Sequence, residues 1–292
     1  MKKRVIALGY FDGVHVGHSA LLERTKEIAK EKGLSAAVLL FDRHPSQILA
    51  GSPTTLINTN EEREMLLTRF HKMDEHLTLT FDKKCAALSW DSFISDILID
   101  EFNAEHLVAG FDFRFGKFGR GDSNMLKAFC RGKGIGCDII EPIEIDGEVV
   151  SSTLIRAYLE QGHLDRAVKL LGHNHFFTAP VVRGKELGRD LGIPTINQEF
   201  ALNACVPRFG VYKTLVHIGD EVHVGVTNVG VRPTTEKSDI PRIETYILNY
   251  DGDLYDKMVT LEFVEFIRVE QKFSNIDELK RMIQKDIKIA ES

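Results

Sequence analysis

The sequence has few cysteines, no surplus of positive charge and no long apolar run. Cys85, Cys130, Cys137 and Cys205 lie far apart, with no CxxC pair among them, which excludes a disulfide framework and a thiolate metal knuckle. They read as reduced, structural thiols, the state a cytoplasmic protein keeps. Against 43 Asp and Glu stand 37 Lys and Arg, a formal net charge of -6. That balance argues against generic nucleic-acid or membrane-surface binding, both of which need a basic patch. It leaves room for a local cationic pocket around a polyanionic small molecule. The start, MKKRVIALGYFDG, is basic and then apolar like a secretion leader, but the apolar run is short and Asp12 and His15 interrupt it. No stretch is long enough to span a membrane. The expectation is a cytoplasmic protein with no membrane or nucleic-acid partner.

What is present is the composition of an ordinary globular protein, 43% apolar and 27% charged. The length suggests two domains of roughly 150 residues. In the first half, short apolar runs alternate with helix-period stretches. Val5 to Leu8, Ala36 to Phe41 and Leu77 to Phe81 read as strands, and HLVAGFDF as a strand running into a glycine-rich loop. Between them Ser19 to Lys32, stopping at Gly33, Glu61 to Phe70 and Asp91 to Glu101 read as helices. This alternation predicts a parallel sheet with helices on its faces. After Gly172 the texture changes to short β-rich runs separated by Gly and Pro, from FFTAPVVRG to KMVTLEFVEFIR, which predicts a compact antiparallel sheet or barrel. The final SNIDELKRMIQKDIKIA predicts an amphipathic helix capped by Ser274, with Ile276, Leu279, Ile283 and Ile287 on one face. The domain boundary is placed near His173 to His175.

GYFDGVHVGHS joins the end of the first strand to a helix beginning near His18. In a parallel α/β fold that junction lies at the carboxyl ends of the strands, where ligands bind. Gly9, Gly13 and Gly17 let the backbone turn sharply and approach a ligand closely. The helix start offers free N–H groups and the positive end of the dipole, a phosphate site that His15 and His18 can both face. Imidazole titrates near about 6.5, and a nearby triphosphate favours its charged form. A zinc pair is the competing reading, but no third ligand stands at suitable spacing. Further on, VSSTLIRAYLEQG opens a helix with Ser151, Ser152 and Thr153, with Arg156 one turn in from Ser152. Capping alone accounts for the hydroxyls; hydroxyls, terminal amides and a guanidinium together bind phosphates. GFDFRFGKFGRGD, from Gly110 to Asp122, combines glycines, aromatics and the cations Arg114, Lys117 and Arg120 in what reads as a mobile, basic loop whose Phe rings can flank a flat ring system.

GYFDGVHVGH, the Pro45 segment FDRHPSQIL, GFDFRFGKFGRGD and VSSTLIR occur together in this order. The set resembles the adenylyltransferase module of prokaryotic FAD synthetases, within the wider HxGH nucleotidylyltransferases. HxGH and SSTxxR are shared with other nucleotidylyltransferases; FDGVHxGH with the GFDFRFG loop is far more specific. The resemblance implies a Rossmann-like α/β domain over residues 1–173 that transfers AMP from ATP to FMN, giving FAD and pyrophosphate with Mg²⁺. It implies that His15, His18, Ser152 and Arg156 handle the ATP phosphates, with Gly9, Phe11, Asp12, Gly17, Ser151 and Thr153 around the nucleotide. It places Pro45, Phe111, Asp112, Phe113, Arg114, Phe115 and Asn124 at the flavin.

GKELGRDLGIPTIN, GVY at 210–212, NVGVRPT at 228–234, Glu244, GDLY at 252–255 and EFIRVEQKF at 265–273 resemble a riboflavin kinase, a small antiparallel β-barrel with a C-terminal helix, over residues 174–292. In that family the Thr and Asn of PTxN contact Mg²⁺ and ATP, and the strand glutamate is base to the riboflavin 5′-hydroxyl. Carried over, these are Thr195, Asn197 and Glu244, with Gly184, Gly188 and Arg189 in the glycine-rich ATP loop. Thr195 and Asn197, two apart in an extended segment, project to one side and offer oxygen donors to a hard cation. Three positions depart from the family. Ile196 replaces its usual Ala and by alternation points away from the metal side, so it changes packing first. Asp256 replaces its usual Gly after DLY, and Glu186 adds a negative charge to the loop. These departures leave two readings of this half open, an active kinase or a flavin-binding, stabilising module. Rival readings of the whole are an HxGH nucleotidylyltransferase with CTP or another acceptor, and a flavin- or nucleotide-responsive regulator.

Overall fold

The computed structural model describes residues 2–45, 55–184, 192–231 and 241–292. Gly188 and Arg189, expected at ATP, lie outside the described residues, as do Glu186 and positions 232–234 of the NVGVRPT run. By their contacts the residues form two compact units, Met1–Thr55 with Arg63–Ser152, and Leu56–Glu62 with Thr153–Ser292.

The first unit is built on five parallel strands: β1 (Arg4–Leu8), β2 (Ser35–Phe41), β3 (Glu75–Leu79), β4 (Ala104–Gly110) and β5 (Gly136–Ile140). Their order is β3-β2-β1-β4-β5, the Rossmann-like arrangement expected. Strands covered on both faces must be apolar throughout, and every residue of β2 is buried. The order reverses between β1 and β4, so a crevice opens beyond their carboxyl ends. Leu8 lies beside both Ala109 of β4 and Leu39 of β2. The loops after β2, β1 and β4 therefore leave the sheet side by side, although Pro45 and Phe111 are far apart in sequence.

Helix α1 (Val16–Lys32) starts three residues before Ser19. The reason is an unusual cap: Nδ1 of His15 accepts the His18 N–H at 3.3 Å, a role more often taken by Ser, Thr, Asp or Asn. The helix ends at Gly33 as expected, with Gly33 at φ 66 and its amide on the carbonyls of Ala29 and Lys30.

The second unit carries six antiparallel strands: β8 (Phe176–Pro180), β9 (Thr195–Glu199), β10 (Gly210–Ile218), β11 (Glu221–Gly230), β12 (Arg242–Ile247) and β13 (Met258–Arg268). Two short strands, β6 (Glu144–Ile145) and β7 (Glu148–Val149), form a separate hairpin in the first unit. The six-stranded order is β8-β13-β10-β11-β12-β9. The sheet rolls until its edges meet: the Val182 amide donates to the Asn197 carbonyl at 2.8 Å. Nε2 of the buried Gln198 donates to the carbonyls of Ala179 and Val259 at 2.7 and 2.9 Å. Joining the edges in this way removes the unpaired strand face that an open sheet exposes. Inside, His175 stacks on Phe263 with ring centroids 5.5 Å apart, and burial pushes its pKa down to about 3.

The terminal helix, Ile276–Glu291, is capped by Asn275, whose side chain accepts the Glu278 N–H at 2.9 Å, and not by Ser274. Of the expected face, Leu279, Ile283 and Ile287 are part-buried and only Ile276 departs. Ile276 is 60% exposed, whereas Ala290 and Ile287 pack against Val211, Val226 and Leu248. Asp286 is buried there because Arg268 grips it with Nε at 3.0 Å and Nη2 at 2.8 Å.

Candidate active sites

Beyond β1 the chain makes a strained turn. Phe11, fully buried, sits at φ 60, Gly13 at φ 80 and Val14 at φ 37. Left-handed backbone at a non-glycine residue costs on the order of 1–3 kcal/mol and persists only where packing over-determines it. Here the Phe11 ring is locked in the core, and Ser152 donates its hydroxyl to the Asp12 carbonyl at 2.9 Å. The turn delivers His15 and His18 face to face, with ring centroids 3.6 Å apart and planes 14° from parallel. A side chain at Gly17 would press on the His15 ring at 3.2 Å, which explains the glycine between the histidines. Because Nδ1 of His15 accepts the His18 amide, a neutral His15 carries its proton on Nε2. Among the described residues, Nδ1 of His18 is buried without a partner. Burial, then the charges of His15, His71 and Arg63, hold His18 well below the usual histidine pKa. His15, His18, Gly9, Phe11, Asp12, Gly17, Ser151 and Ser152 thus belong to one unit. Thr153 and Arg156, further along the same helix (Ser152–Gln161), belong by their contacts to the other. Nη2 of Arg156 donates to the Thr153 hydroxyl at 3.2 Å.

The loop after β4 is pinned at several points by backbone hydrogen bonds. Phe115 and Gly121 exchange both backbone hydrogen bonds, at 3.2 and 2.9 Å, and the Lys117 amide donates to the Leu88 carbonyl at 2.6 Å. A Cβ on Gly121 would meet the Phe115 ring at 2.7 Å, and one on Gly116 the Trp90 backbone at 2.6 Å. The glycines therefore serve close packing. Phe115 is buried in the core and stacks with Phe113 at 5.4 Å, whereas Phe111, Asp112, Arg114 and Asn124 face solvent. Asp122 caps the following helix by accepting the Met125 amide at 2.9 Å.

Two residues here escaped the sequence reading. Arg63 looks like a surface residue of the NEEREML helix, yet it is only 3% exposed. Its Nη1 and Nη2 donate to the carbonyls of Tyr10 and Phe41, each at 3.0 Å. Nothing in the local pattern marks it, because its burial follows from the tertiary position of the strand ends. Tyr10 lies inside the GYFDG motif. Its ring stands 4.7 Å from the Arg63 guanidinium and edge-on to His44, the neighbour of Pro45, at 4.3 Å.

In the second unit, pairing sets Asn197 of β9 beside Glu244 of β12, and Glu244 beside Asn228 of β11. Nδ2 of Asn228 donates to Glu270 at 3.0 Å. Gly184 lies so close over Asn197 that any Cβ would overlap its carboxamide. The first glycine of the expected ATP loop therefore fixes the amide expected to bind metal. Thr195 and Asn197 supply a hydroxyl and a carboxamide oxygen. Hard oxygen donors of this kind suit a magnesium ion whose remaining positions go to phosphates and water. Among the described residues no three His, Cys, Asp or Glu side chains are grouped to hold a metal ion. Thr195 borders a cleft of about 470 Å³ lined also by Ile247, Tyr250, Asp253 and Tyr255. Ile196 borders it too, on the same cleft as Thr195. Asp256 stands at φ 63, the conformation for which glycine is the ordinary choice.

Comparison with known proteins matches residues 1–154 to the FAD synthetase family model and residues 171–292 to the riboflavin kinase model. A curated relative from Bacillus subtilis (strain 168), a bifunctional riboflavin kinase/FMN adenylyltransferase, is 36% identical over 290 residues, covering 97% of this chain and 90% of its own. The protein of the same description from Escherichia coli (strain K12) is 34% identical over 285 residues, with 97% and 90% covered. A crystal structure named as a macrolide-efflux protein from Streptococcus pneumoniae superposes with a TM-score of 0.89 at 29% identity, covering 100% of this chain and 94% of that one. Among the described residues no helix of this chain is long and apolar enough to cross a membrane.

Proposed function

Because the chain belongs to the family of bifunctional riboflavin kinase/FMN adenylyltransferases, and so both phosphorylates riboflavin to FMN and adenylylates FMN to FAD, we propose how its residues divide these two reactions. Residues 1–173 carry adenylyl transfer and residues 174–292 carry phosphorylation. The observation that supports this division is that each half holds its own phosphate-binding arrangement. One is the stacked His15–His18 pair at the start of α1; the other is the Asn197–Glu244 row beneath Gly184.

In adenylyl transfer, an oxygen of the FMN phosphate forms a bond to the α-phosphorus of ATP as the bond to pyrophosphate breaks. Two polyanions meet, so positioned cations and donors supply most of the catalysis. His15, His18 and Arg156 provide the charge; Ser151, Ser152, Thr153, Gly9, Phe11, Asp12 and Gly17 shape the nucleotide site. Pro45, Phe111, Asp112, Phe113, Arg114 and Asn124 line the flavin, with Phe115 anchoring their loop. In phosphorylation, Glu244 takes the proton of the riboflavin 5′-hydroxyl while that oxygen attacks the γ-phosphorus and ADP leaves. Thr195 and Asn197 would hold Mg²⁺, which would neutralise phosphate charge, and Gly184, Gly188 and Arg189 are assigned to the ATP. The protein works in the cytoplasm on these small molecules alone.

Product analysis tests the assignment. With riboflavin and Mg·ATP, FMN should appear before FAD; with FMN and Mg·ATP, FAD and pyrophosphate should form in equal amounts. FAD from FMN without any FMN from riboflavin would return the non-catalytic reading of the barrel.

The state of His18 gives a second prediction. In the free protein its pKa is depressed, so it is neutral near pH 7. As pH falls below about 6.5 the unfolded chain binds a proton that the folded site refuses, and stability drops. A bound triphosphate reverses the preference, so ATP should bind with proton uptake and more tightly at pH 6 than at pH 8. Calorimetry in two buffers of different ionisation enthalpy reads this directly, and zero proton uptake would contradict it.

A further inference from the structure

Among the described residues the Tyr10 hydroxyl is buried without a well-formed hydrogen bond, and the polar group in contact with it is the adjoining Arg63 guanidinium. A buried hydroxyl left unpaired costs on the order of 1–3 kcal/mol, so an orphan of this kind, next to a ligand site, marks a place where a partner arrives. Its surroundings are built for the purpose. Arg63 clamps the carbonyls of Tyr10, two residues beyond β1, and of Phe41, the last residue of β2, and lies against the tyrosine ring. His44 meets the ring edge-on. Burial above all, opposed by the charge of Arg63 and by its side-chain contact with the hydroxyl, raises the Tyr10 pKa above the usual tyrosine value, which keeps the hydroxyl a donor at working pH.

Position decides which substrate supplies the acceptor. Tyr10 leaves β1, the strand between β2 and β4. On its own strand the turn runs on to the His15–His18 pair, assigned to the ATP phosphates. On the β2 side it touches His44, next to Pro45, assigned to the flavin. The one substrate group that must reach both segments is the phosphate of FMN, since it is joined to the flavin and attacks the nucleotide. We propose that the Tyr10 hydroxyl, carried on the buried Arg63 guanidinium, hydrogen-bonds the phosphate of FMN and holds it in line with the α-phosphorus of ATP. This rests on the assignment of adenylyl transfer to the first unit. The hydroxyl donates to a non-attacking oxygen; the attacking oxygen forms the new P–O bond, pyrophosphate leaves, and no proton moves from Tyr10.

Tyr10→Phe removes only the oxygen. Because that oxygen makes no well-formed hydrogen bond among the described residues, the variant should unfold at the same temperature as the parent or a higher one. KM for FMN should rise about tenfold, the loss of about 1.4 kcal/mol of binding, with KM for ATP and the rate of riboflavin phosphorylation unchanged. A KM for FMN within twofold of the parent overturns the inference. So does a rise in both KM values together with a lower unfolding temperature, the mark of a structural role. A parent protein that makes no FAD from FMN would instead remove the assignment on which the inference stands.

Discussion

Replacing His15 by alanine is expected to lower FAD formation from FMN by about 10²–10³-fold, the usual cost of losing one preorganised group that stabilises transition-state charge. Riboflavin phosphorylation in the same preparation should stay intact. Two effects must be separated, because His15 caps α1 through its contact with the His18 amide and also faces the phosphate site. Loss of a cap costs about 1 kcal/mol and shows in the unfolding temperature. Asparagine caps well but carries no imidazole. His15→Asn should therefore recover the unfolding temperature and not the activity. If His15→Asn restores FAD formation to within tenfold of the parent, the imidazole is a structural cap and the phosphate role fails.

The second large effect is expected at Glu244. Glu244→Gln keeps the shape and a hydrogen-bonding head group beside Asn197 and Asn228 but cannot accept the hydroxyl proton. Removal of a general base lowers rates by about 10²–10⁴-fold. FMN formation from riboflavin should fall by that amount, while FAD formation from supplied FMN is unchanged. Equal loss of both products would mean that the substitution disturbs the whole chain, and retained FMN formation would assign the base elsewhere.

Much of this architecture is legible in the sequence, for local reasons. The central strands β1 and β2 are nearly continuous apolar runs, and Gly33 and Gly162 mark helix ends because both stand in the left-handed conformation. The start of α1 was misread by three residues because a histidine cap has no sequence signature. The last helix was capped one residue early, since Ser274 and Asn275 are both good caps and only geometry chooses between them. Its inner face followed the periodicity from Leu279 on and admitted Asp286 because Arg268, remote in sequence, neutralises it. Arg63 was invisible for the same kind of reason: a buried cation is justified by carbonyls at the ends of two strands, and no window of sequence contains both.

The paired backbone of Phe115 and Gly121 bears on how fast a flavin is captured. Its segment is already folded onto the core, so little chain entropy remains to be lost when an isoalloxazine ring arrives. Encounter is then limited by orientation, and arrival rates should vary little among flavin analogues. Discrimination among them resides in how long each one stays.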